Sequence, residues 1–296
     1  MADAPRPRVA RTTRECQELL AAFPREGAAP IALVPTMGYL HAGHAALLRE
    51  ARRSGARVVC SIFVNPTQFG PNEDLAQYPR DLERDLSVCA AEGVELVFAP
   101  ESPAELYPPG AATRVRVEGL TEHFCGASRP GHFDGVATVV TALFGIVRPA
   151  RAYFGEKDFQ QLAVIRRFTR DLHLGVEIVG VPTVREADGL ALSSRNAYLD
   201  AAGRQKALAL SRALAAVRRS YGQGERSAGV LRKLAHGTLA EGVDAIDYVE
   251  LADPEALRPL APATLVDAST RLLMAAFVEG EGGRRTRLID NGALQD

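Results

Sequence analysis

His41 and His44 stand three residues apart in the run PTMGYLHAGH, a segment punctuated by Gly38 and Gly43. If a helix begins near them, residues at this spacing share one face. Two imidazoles on one face can donate hydrogen bonds to oxygens that gain negative charge during phosphoryl or adenylyl transfer. The glycines let a ligand approach the backbone closely, and the amides that open a helix favour an anion. The plain alternative is a pair of polar residues at a helix start. That two of the six histidines share one such turn favours the chemical reading. A zinc site would need a third ligand, usually a nearby Cys, Asp or Glu, and none is evident locally, so no residue is assigned to a metal.

GEKDFQQ, residues 155–161, is a second candidate. The chain has 3 lysines against 32 arginines, so Lys157 stands where the habitual cation of this protein would be Arg. A compact ammonium suits a phosphate oxygen. Its place at a helix start opposes the helix dipole, the kind of local conflict expected mainly at functional sites. Asp158 then either caps the helix or meets a ribose hydroxyl, and Gln161, one turn beyond Lys157, faces the same pocket. In ADGLALSSRN, residues 187–196, Asp188 and Gly189 make a turn. Ser193, Ser194 and Arg195 then supply donors suited to triphosphate oxygens and departing pyrophosphate, although such a tripeptide by itself is more often a capped turn than a phosphate site. SIFVNPTQFG presents Asn65 and Gln68; a primary amide both donates and accepts, so Gln68 either holds a substrate bearing a hydroxyl and a carboxylate or is an ordinary loop glutamine. In GASRPGHFDG, Arg129 and His132 can reach a bound carboxylate or phosphate, or can belong to a surface loop, with Asp134 as a helix N-cap.

The elements that must position these residues alternate between short β-branched runs and helical-period segments. Strands are expected at 31–35, 57–64, 94–98, 151–154 and 176–181, with helices at 45–53, 82–92, 135–147 and 159–172, which is the pattern of a parallel sheet. Ligands of a doubly wound sheet bind beyond the carboxyl ends of its strands, where the candidate segments lie. After residue 200 the pattern changes to helices at 205–221 and 227–240 and strands at 245–251, 270–278 and 286–289, a smaller α+β domain. No internal repeat or low-complexity tract is apparent.

Composition narrows the function classes. With 35 basic and 36 acidic residues the chain lacks the charge footprint of a nucleic-acid binder. No apolar run approaches the ~20 residues that span a bilayer, so no membrane association is expected. Cys16, Cys60, Cys89 and Cys125 are widely spaced without a CxxC pair, and are expected to be reduced, mostly core residues.

Together PTMGYLHAGH, SIFVNPTQFG, YFGEKDFQQ and DGLALSSRN, in this order and spacing, resemble the pantoate–β-alanine ligase family of the HxGH nucleotidyltransferase superfamily. The similarity covers essentially the whole chain, including DYVELADPEALRPL. It implies a Rossmann-like doubly wound α/β domain over residues 1–186 that binds ATP and pantoate, and a small α+β C-terminal lid domain over 187–296. It also implies a cytoplasmic homodimer that ligates (R)-pantoate to β-alanine, with ATP and Mg²⁺ as its nucleotide and ion. The products are (R)-pantothenate, AMP and diphosphate, formed through a pantoyl adenylate in coenzyme A precursor biosynthesis. By matching motif, Met37, Gly38, Tyr39, Leu40, His41, Ala42, Gly43 and His44 line the ATP site, with His44 as proton donor. Gly155, Glu156, Lys157, Asp158, Val184, Leu192, Ser193, Ser194 and Arg195 match further nucleotide contacts. Gln68 matches a position that holds pantoate and lies near β-alanine, and Gln161 one that holds pantoate. His41, His44, Lys157 and Arg195 are the expected catalytic set. An enzyme that leaves AMP attached to a phosphate or nucleotide, and a catalytically idle ATP-binding module, are the competing readings. Retention of the four catalytic positions weighs against the second.

Overall fold

The computed structural model of the chain describes residues 5–23, 29–71, 73, 75–280 and 283–295; residues 1–4 and 296, at the ends of the two expected domains, lie outside the described residues. In chain order the elements are β1 (Arg8–Ala10), α1 (Thr13–Ala21), β2 (Ile31–Thr36), α2 (Ala42–Arg53), β3 (Arg57–Ile62), α3 (Leu82–Ala91), β4 (Leu96–Phe98), α4 (Cys125–Ser128), α5 (His132–Val147), β5 (Arg151–Gly155), α6 (Phe159–Asp171), β6 (Glu177–Val181), α7 (Ala201–Gly222), α8 (Ala228–Ala240), β7 (Ala245–Ala252), β8 (Arg271–Glu279) and β9 (Arg285–Ala293). The first six strands form a parallel sheet in the order β1-β4-β3-β2-β5-β6. The last three form an antiparallel sheet, β7-β8-β9.

The chain divides into two compact units. The first runs to Val117 and takes in Arg129–Glu156 and Gln161–Pro182; the second takes in Glu118–Ser128, Lys157–Gln160 and the described residues from Thr183 onward.

In the first unit the sheet is buried on both faces, as a parallel sheet requires. Ala32, Val34, Val58 and Cys60 pack with Leu47 and Leu48 of α2 and Leu86 of α3. The alternating positions Leu33 and Val59 point the other way and are equally buried. Strand order reverses at β2. Its pairing with β3 continues to Thr36, whereas its pairing with β5 covers only Ala32 and Leu33. Beyond Leu33 the two strands part at their carboxyl ends, the place where a doubly wound sheet opens a crevice.

The second unit wraps α7 and α8 over the antiparallel sheet. Leu210, Leu214 and Val217 of α7 and Leu231 and Leu239 of α8 are buried with Leu251, Leu272, Met274 and Leu288 of the strands. All four cysteines are free and buried, as the spacing predicts.

Several boundaries differ from the sequence reading, each for a local reason. Helix α2 begins at Ala42, three residues earlier than expected, because His41 acts as its N-cap. Strand β3 ends at Ile62, short of residue 64, where Asn65 and Pro66 turn the chain into a 3₁₀ segment. Helix α5 starts at His132, with Gly131 in a left-handed conformation at the N-cap, so Asp134 lies in the first turn and does not cap it. Strands β4 and β9 run Leu96–Phe98 and Arg285–Ala293, the first shorter and the second longer than their patterns suggest. Elements β1, α1 and the four-residue α4 escaped the reading altogether. The first is three residues long, but α1 carries a readable signal, a capping box in which Thr12 and Glu15 satisfy each other's amides.

Candidate functional site

The end of β2 builds the centre of the site from backbone conformation. Gly38 and Tyr39 both have positive φ, 83° and 51°, a double left-handed step that reverses the chain into α2. A β-carbon at Gly38 would sit 3.0 Å from both Asp85 Oδ2 and Ile62 Cγ2, on top of the strained φ, so glycine is required here on two counts. The Tyr39 amide donates to Asp85 Oδ2 at 2.8 Å and the Leu40 amide to Asp85 Oδ1 at 2.6 Å. Asp85 projects from the first turn of α3 and is 1% exposed. Burial pushes its carboxyl above the ordinary value, and the two amides only partly offset that effect. Sequence patterning missed Asp85, since an acid in the early turns of an amphipathic helix reads as a solvated residue favouring the dipole.

The two histidines then cap α2 reciprocally. His41 Nδ1 accepts from the Gly43 amide at 3.1 Å, and His44 Nδ1 accepts from the His41 amide at 3.3 Å. An imidazole nitrogen that accepts carries no proton, so each ring bears its proton on Nε2. The rings lie against each other with centroids 4.1 Å apart. Adopting the cap thus converts two histidines into neighbouring Nε2–H donors at the start of a helix, where the backbone already favours an anion.

Gln68 joins this turn from the end of β3. Its Oε1 accepts from Asn65 Nδ2 at 3.1 Å, which turns its Nε2 towards Met37 Sδ at 3.1 Å. A thioether is a weak acceptor, so a carboxylate or hydroxyl oxygen would be a better partner for that amide. Asn65 is itself spent on structure. Its Oδ1 accepts from Tyr107 Oη at 2.9 Å and Thr67 Oγ1 at 2.9 Å, and its Nδ2 also donates to Gly135 O at 3.2 Å. Gly135 has no side chain for good reason, because a β-carbon there would lie 2.4 Å from Thr67 O.

Arg129 and His132 act on the same loop from behind. His132 Nδ1 is 2.8 Å from the Gln68 carbonyl oxygen, Arg129 donates to that oxygen at 3.3 Å, and Arg129 Nη1 lies 3.0 Å from His132 Nε2. Arg129 also makes a two-bond ion pair with Glu73. Burial alone would raise the Glu73 carboxyl, but the hydrogen bonds and charge of Arg129 outweigh it and hold the group below its ordinary 4.5. Glu73 is a second residue that sequence reasoning passed over.

The first unit therefore brings together residues 37–44, Gln68, Arg129 and His132. Gly155, Glu156 and Gln161 also belong to it, at the end of β5 and in the first turn of α6. The second unit holds Lys157, Asp158, Val184 and residues 192–195. There Lys157 and Asp158 are ion-paired at 3.7 Å in a 3₁₀ turn before α6. Gln160 is a structural clamp, accepting from Cys125 N and donating to Leu120 O and His123 O at 2.8–3.0 Å. Val184 pairs with Leu192 through a 3.0 Å backbone bond that closes a hairpin around Asp188 and Gly189. The hairpin delivers Ser193, whose hydroxyl accepts from the Arg195 amide at 3.3 Å and caps the 3₁₀ turn Ser194–Tyr198.

Comparison with known proteins agrees over the whole length. The family described as pantoate-beta-alanine ligase matches residues 8–293. Pantothenate synthetase of Anaeromyxobacter dehalogenans is 57% identical over 276 residues, 91% of this chain and 93% of that one. The Myxococcus xanthus enzyme of that name is 52% identical, covering 97% of this chain and 96% of its own. Among solved structures, Thermus thermophilus pantothenate synthetase superposes with a TM-score of 0.89 at 50% identity, over 98% of this chain and 100% of that one. Pantoate-beta-alanine ligase of Francisella tularensis, complexed with beta-gamma ATP and beta-alanine, gives 0.76 at 30% identity, over 97% and 98%.

Two outcomes follow from this geometry. Asp85→Asn places an amide N–H against a backbone N–H that Asp85 now satisfies. It should cost about 1–3 kcal/mol of stability and lower turnover, and wild-type thermal stability together with wild-type kcat would refute the role given to Asp85. For Glu73 the folded pKa is depressed, so the stability it contributes is complete above pH 4.5 and lost as pH falls through the folded value. Glu73→Gln should therefore lower Tm near pH 7, with the gap to wild type closing on acidification below pH 4.5. A gap that widens there would be the contrary result.

Proposed function

The chain belongs to the pantoate–β-alanine ligase family, and from that premise we propose how its residues carry out the ligation. The reaction joins (R)-pantoate to β-alanine, giving (R)-pantothenate while ATP is cleaved to AMP and diphosphate through a pantoyl adenylate. The observation that carries the residue assignment is the pairing of two Nε2–H imidazoles at the capped start of α2 with a Gln68 amide turned towards the same loop. One half of that arrangement suits phosphoryl oxygens; the other suits a substrate carboxylate or hydroxyl.

In the first step a pantoate carboxylate oxygen attacks the α-phosphorus of ATP in line, the bond to the bridging oxygen breaks, and diphosphate leaves with the electron pair. His41 and His44 donate to the phosphoryl oxygens as their charge grows, with His44 as the proton donor. Met37, Gly38, Tyr39, Leu40, Ala42 and Gly43 supply the close-approach backbone around the nucleotide. Lys157 and Arg195 offset the charge on the phosphates and on departing diphosphate. Gly155, Glu156, Asp158, Val184, Leu192, Ser193 and Ser194 complete the nucleotide contacts. Gln68 and Gln161 hold pantoate, and Arg129 and His132 contribute by fixing the Gln68 carbonyl. In the second step the neutral amine of β-alanine, close to Gln68, attacks the pantoyl carbonyl, and AMP departs.

Among the described residues no group of three or more His, Cys, Asp or Glu side chains is arranged to hold a metal. In this reading Mg²⁺ is held mainly by ATP's own phosphate oxygens and waters, and no protein ligand is assigned to it. Bound magnesium neutralises phosphate charge. Among the described residues no helix is long and apolar enough to cross a membrane. A cytoplasmic homodimer, with an ATP- and pantoate-binding domain over residues 1–186 and a lid domain over 187–296, completes the proposal.

The test is an assay with pantoate, β-alanine, ATP and Mg²⁺, omitting each in turn and following pantothenate and diphosphate. Pantothenate should form only when all are present, with one AMP released per amide. A stable adenylylated product in place of the amide would identify a nucleotidyltransferase instead. His44→Ala should cost on the order of 10²–10³ in kcat, by analogy with removing one preorganised donor, with the fold intact by circular dichroism. Turnover near wild type would take His44 out of the mechanism.

A further inference from the structure

Two adjacent buried polar residues of β9, Asp290 and Asn291, have no part in the chemistry described above. They are 2% and 4% exposed, and burying such groups is costly unless each polar atom is satisfied. Their partners lie in the two segments of the second unit that carry the phosphate-binding cations.

The Asn291 side chain donates from Nδ2 to the backbone carbonyl of Lys157 at 2.6 Å and accepts on Oδ1 from Arg271 Nε at 2.8 Å. The Arg271 guanidinium in turn stacks on the ring of Phe159, 3.7 Å from its centroid. Lys157 therefore sits in a 3₁₀ turn whose backbone is held at residue 157 by an amide, just before Phe159 of α6, whose ring carries the Arg271 cation. The Asn291 amide N–H donates to Asp290 Oδ1 at 2.8 Å. The same carboxylate takes two bonds from Arg185, at 2.7 and 2.8 Å, and Arg185 also donates to Gly189 O at 3.1 Å. Arg185 lies in the hairpin that ends in Ser193, Ser194 and Arg195. One strand thus fixes, by consecutive residues, both the turn bearing Lys157 and the hairpin leading to Arg195.

We propose that Asn291 is a positioning residue for Lys157: its amide sets the plane of the Lys157 carbonyl and hence the direction in which the ammonium leaves the backbone. The proposal rests on the reading that Lys157 acts on the phosphates of ATP. A flexible four-carbon side chain reaches a target reproducibly only if its Cα–Cβ bond is fixed. Lys157 lies in the short 3₁₀ turn before α6, and Asn291 holds its carbonyl from a strand outside that turn. Asp158, the ion-pair partner of Lys157 at 3.7 Å, acts on the charged end; Asn291 acts on the backbone end.

The experiment is a double-mutant cycle. Asn291→Ala and Asn291→Asp are each made in the wild type and in Lys157→Ala. Pantoate-dependent ATP–diphosphate exchange is measured for kcat and for KM of ATP, with Tm recorded for every variant. Asn291→Asp keeps the acceptor for Arg271 but sets a carboxylate oxygen against the Lys157 carbonyl. Both single variants should fold and lose about 10–100-fold in exchange kcat, the scale on which a small misplacement costs rate, with KM of ATP changing much less. In the Lys157→Ala background the same substitutions should cost less than about two-fold, because coupled residues are non-additive. Equal losses in both backgrounds, unchanged exchange in a folded Asn291 variant, or failure of both variants to fold would overturn the positioning role while leaving Lys157 in place. Full exchange by Lys157→Ala would instead bring down the reading of Lys157 and the proposal with it.

Discussion

A buried carboxylate receiving two backbone amides is the contact on which the switch-point turn depends. Asp85 takes the Tyr39 and Leu40 amides just where Gly38 and Tyr39 enter the left-handed region. A non-glycine residue at positive φ costs energy and persists only where its surroundings over-determine it. The carboxylate is that surrounding. With the turn held, His41 arrives in the extended conformation a helix cap needs, and α2 can start at Ala42. The tautomer of both histidines then follows from the capping bonds, so the donor chemistry of the site descends from one acid on a neighbouring helix.

The same device recurs through the molecule: a side chain with two hydrogen-bonding ends fixes a loop. Asn65 orients the Gln68 amide while holding Gly135 of α5. Arg129 and His132 converge on the Gln68 carbonyl. Gln160 clamps the segment from Leu120 to Cys125, and Asn291 joins Arg271 to the Lys157 carbonyl. Amides serve here because they donate and accept at once, so each closes a network without leaving a buried group unsatisfied. The consecutive glutamines Gln160 and Gln161 mark the division of labour. The first is buried and used internally; the second is half-buried in the first turn of α6.

Much of the fold could be read from local pattern. Alternating apolar runs and helical periods predicted strands β2 to β6 and helices α2, α3, α5 and α6, because a parallel sheet buried on both faces leaves continuous apolar segments. What escaped was short or conditional. Strand β1 has three residues and α1 has only its Thr12–Glu15 box to announce it. The start of α2 depended on a histidine acting as a cap, a role that the usual Ser, Thr, Asp and Asn signals do not cover.

The linear order of residues determined the chemical inventory and its family. Histidines at HxGH spacing, a rare lysine after a strand, a serine pair before an arginine and an amide after NP are properties of the chain as written. Tertiary structure decided how the inventory is aimed. Asp85 is 45 residues from Leu40, Asn291 is 134 from Lys157, and Arg129 is 61 from Gln68. No local rule links residues so far apart, since the hydrogen bonds that couple them exist only after helices and strands have packed and water has been excluded. Which nitrogen of each imidazole carries its proton, and which way the Gln68 amide turns, are therefore facts of packing and not of order along the chain.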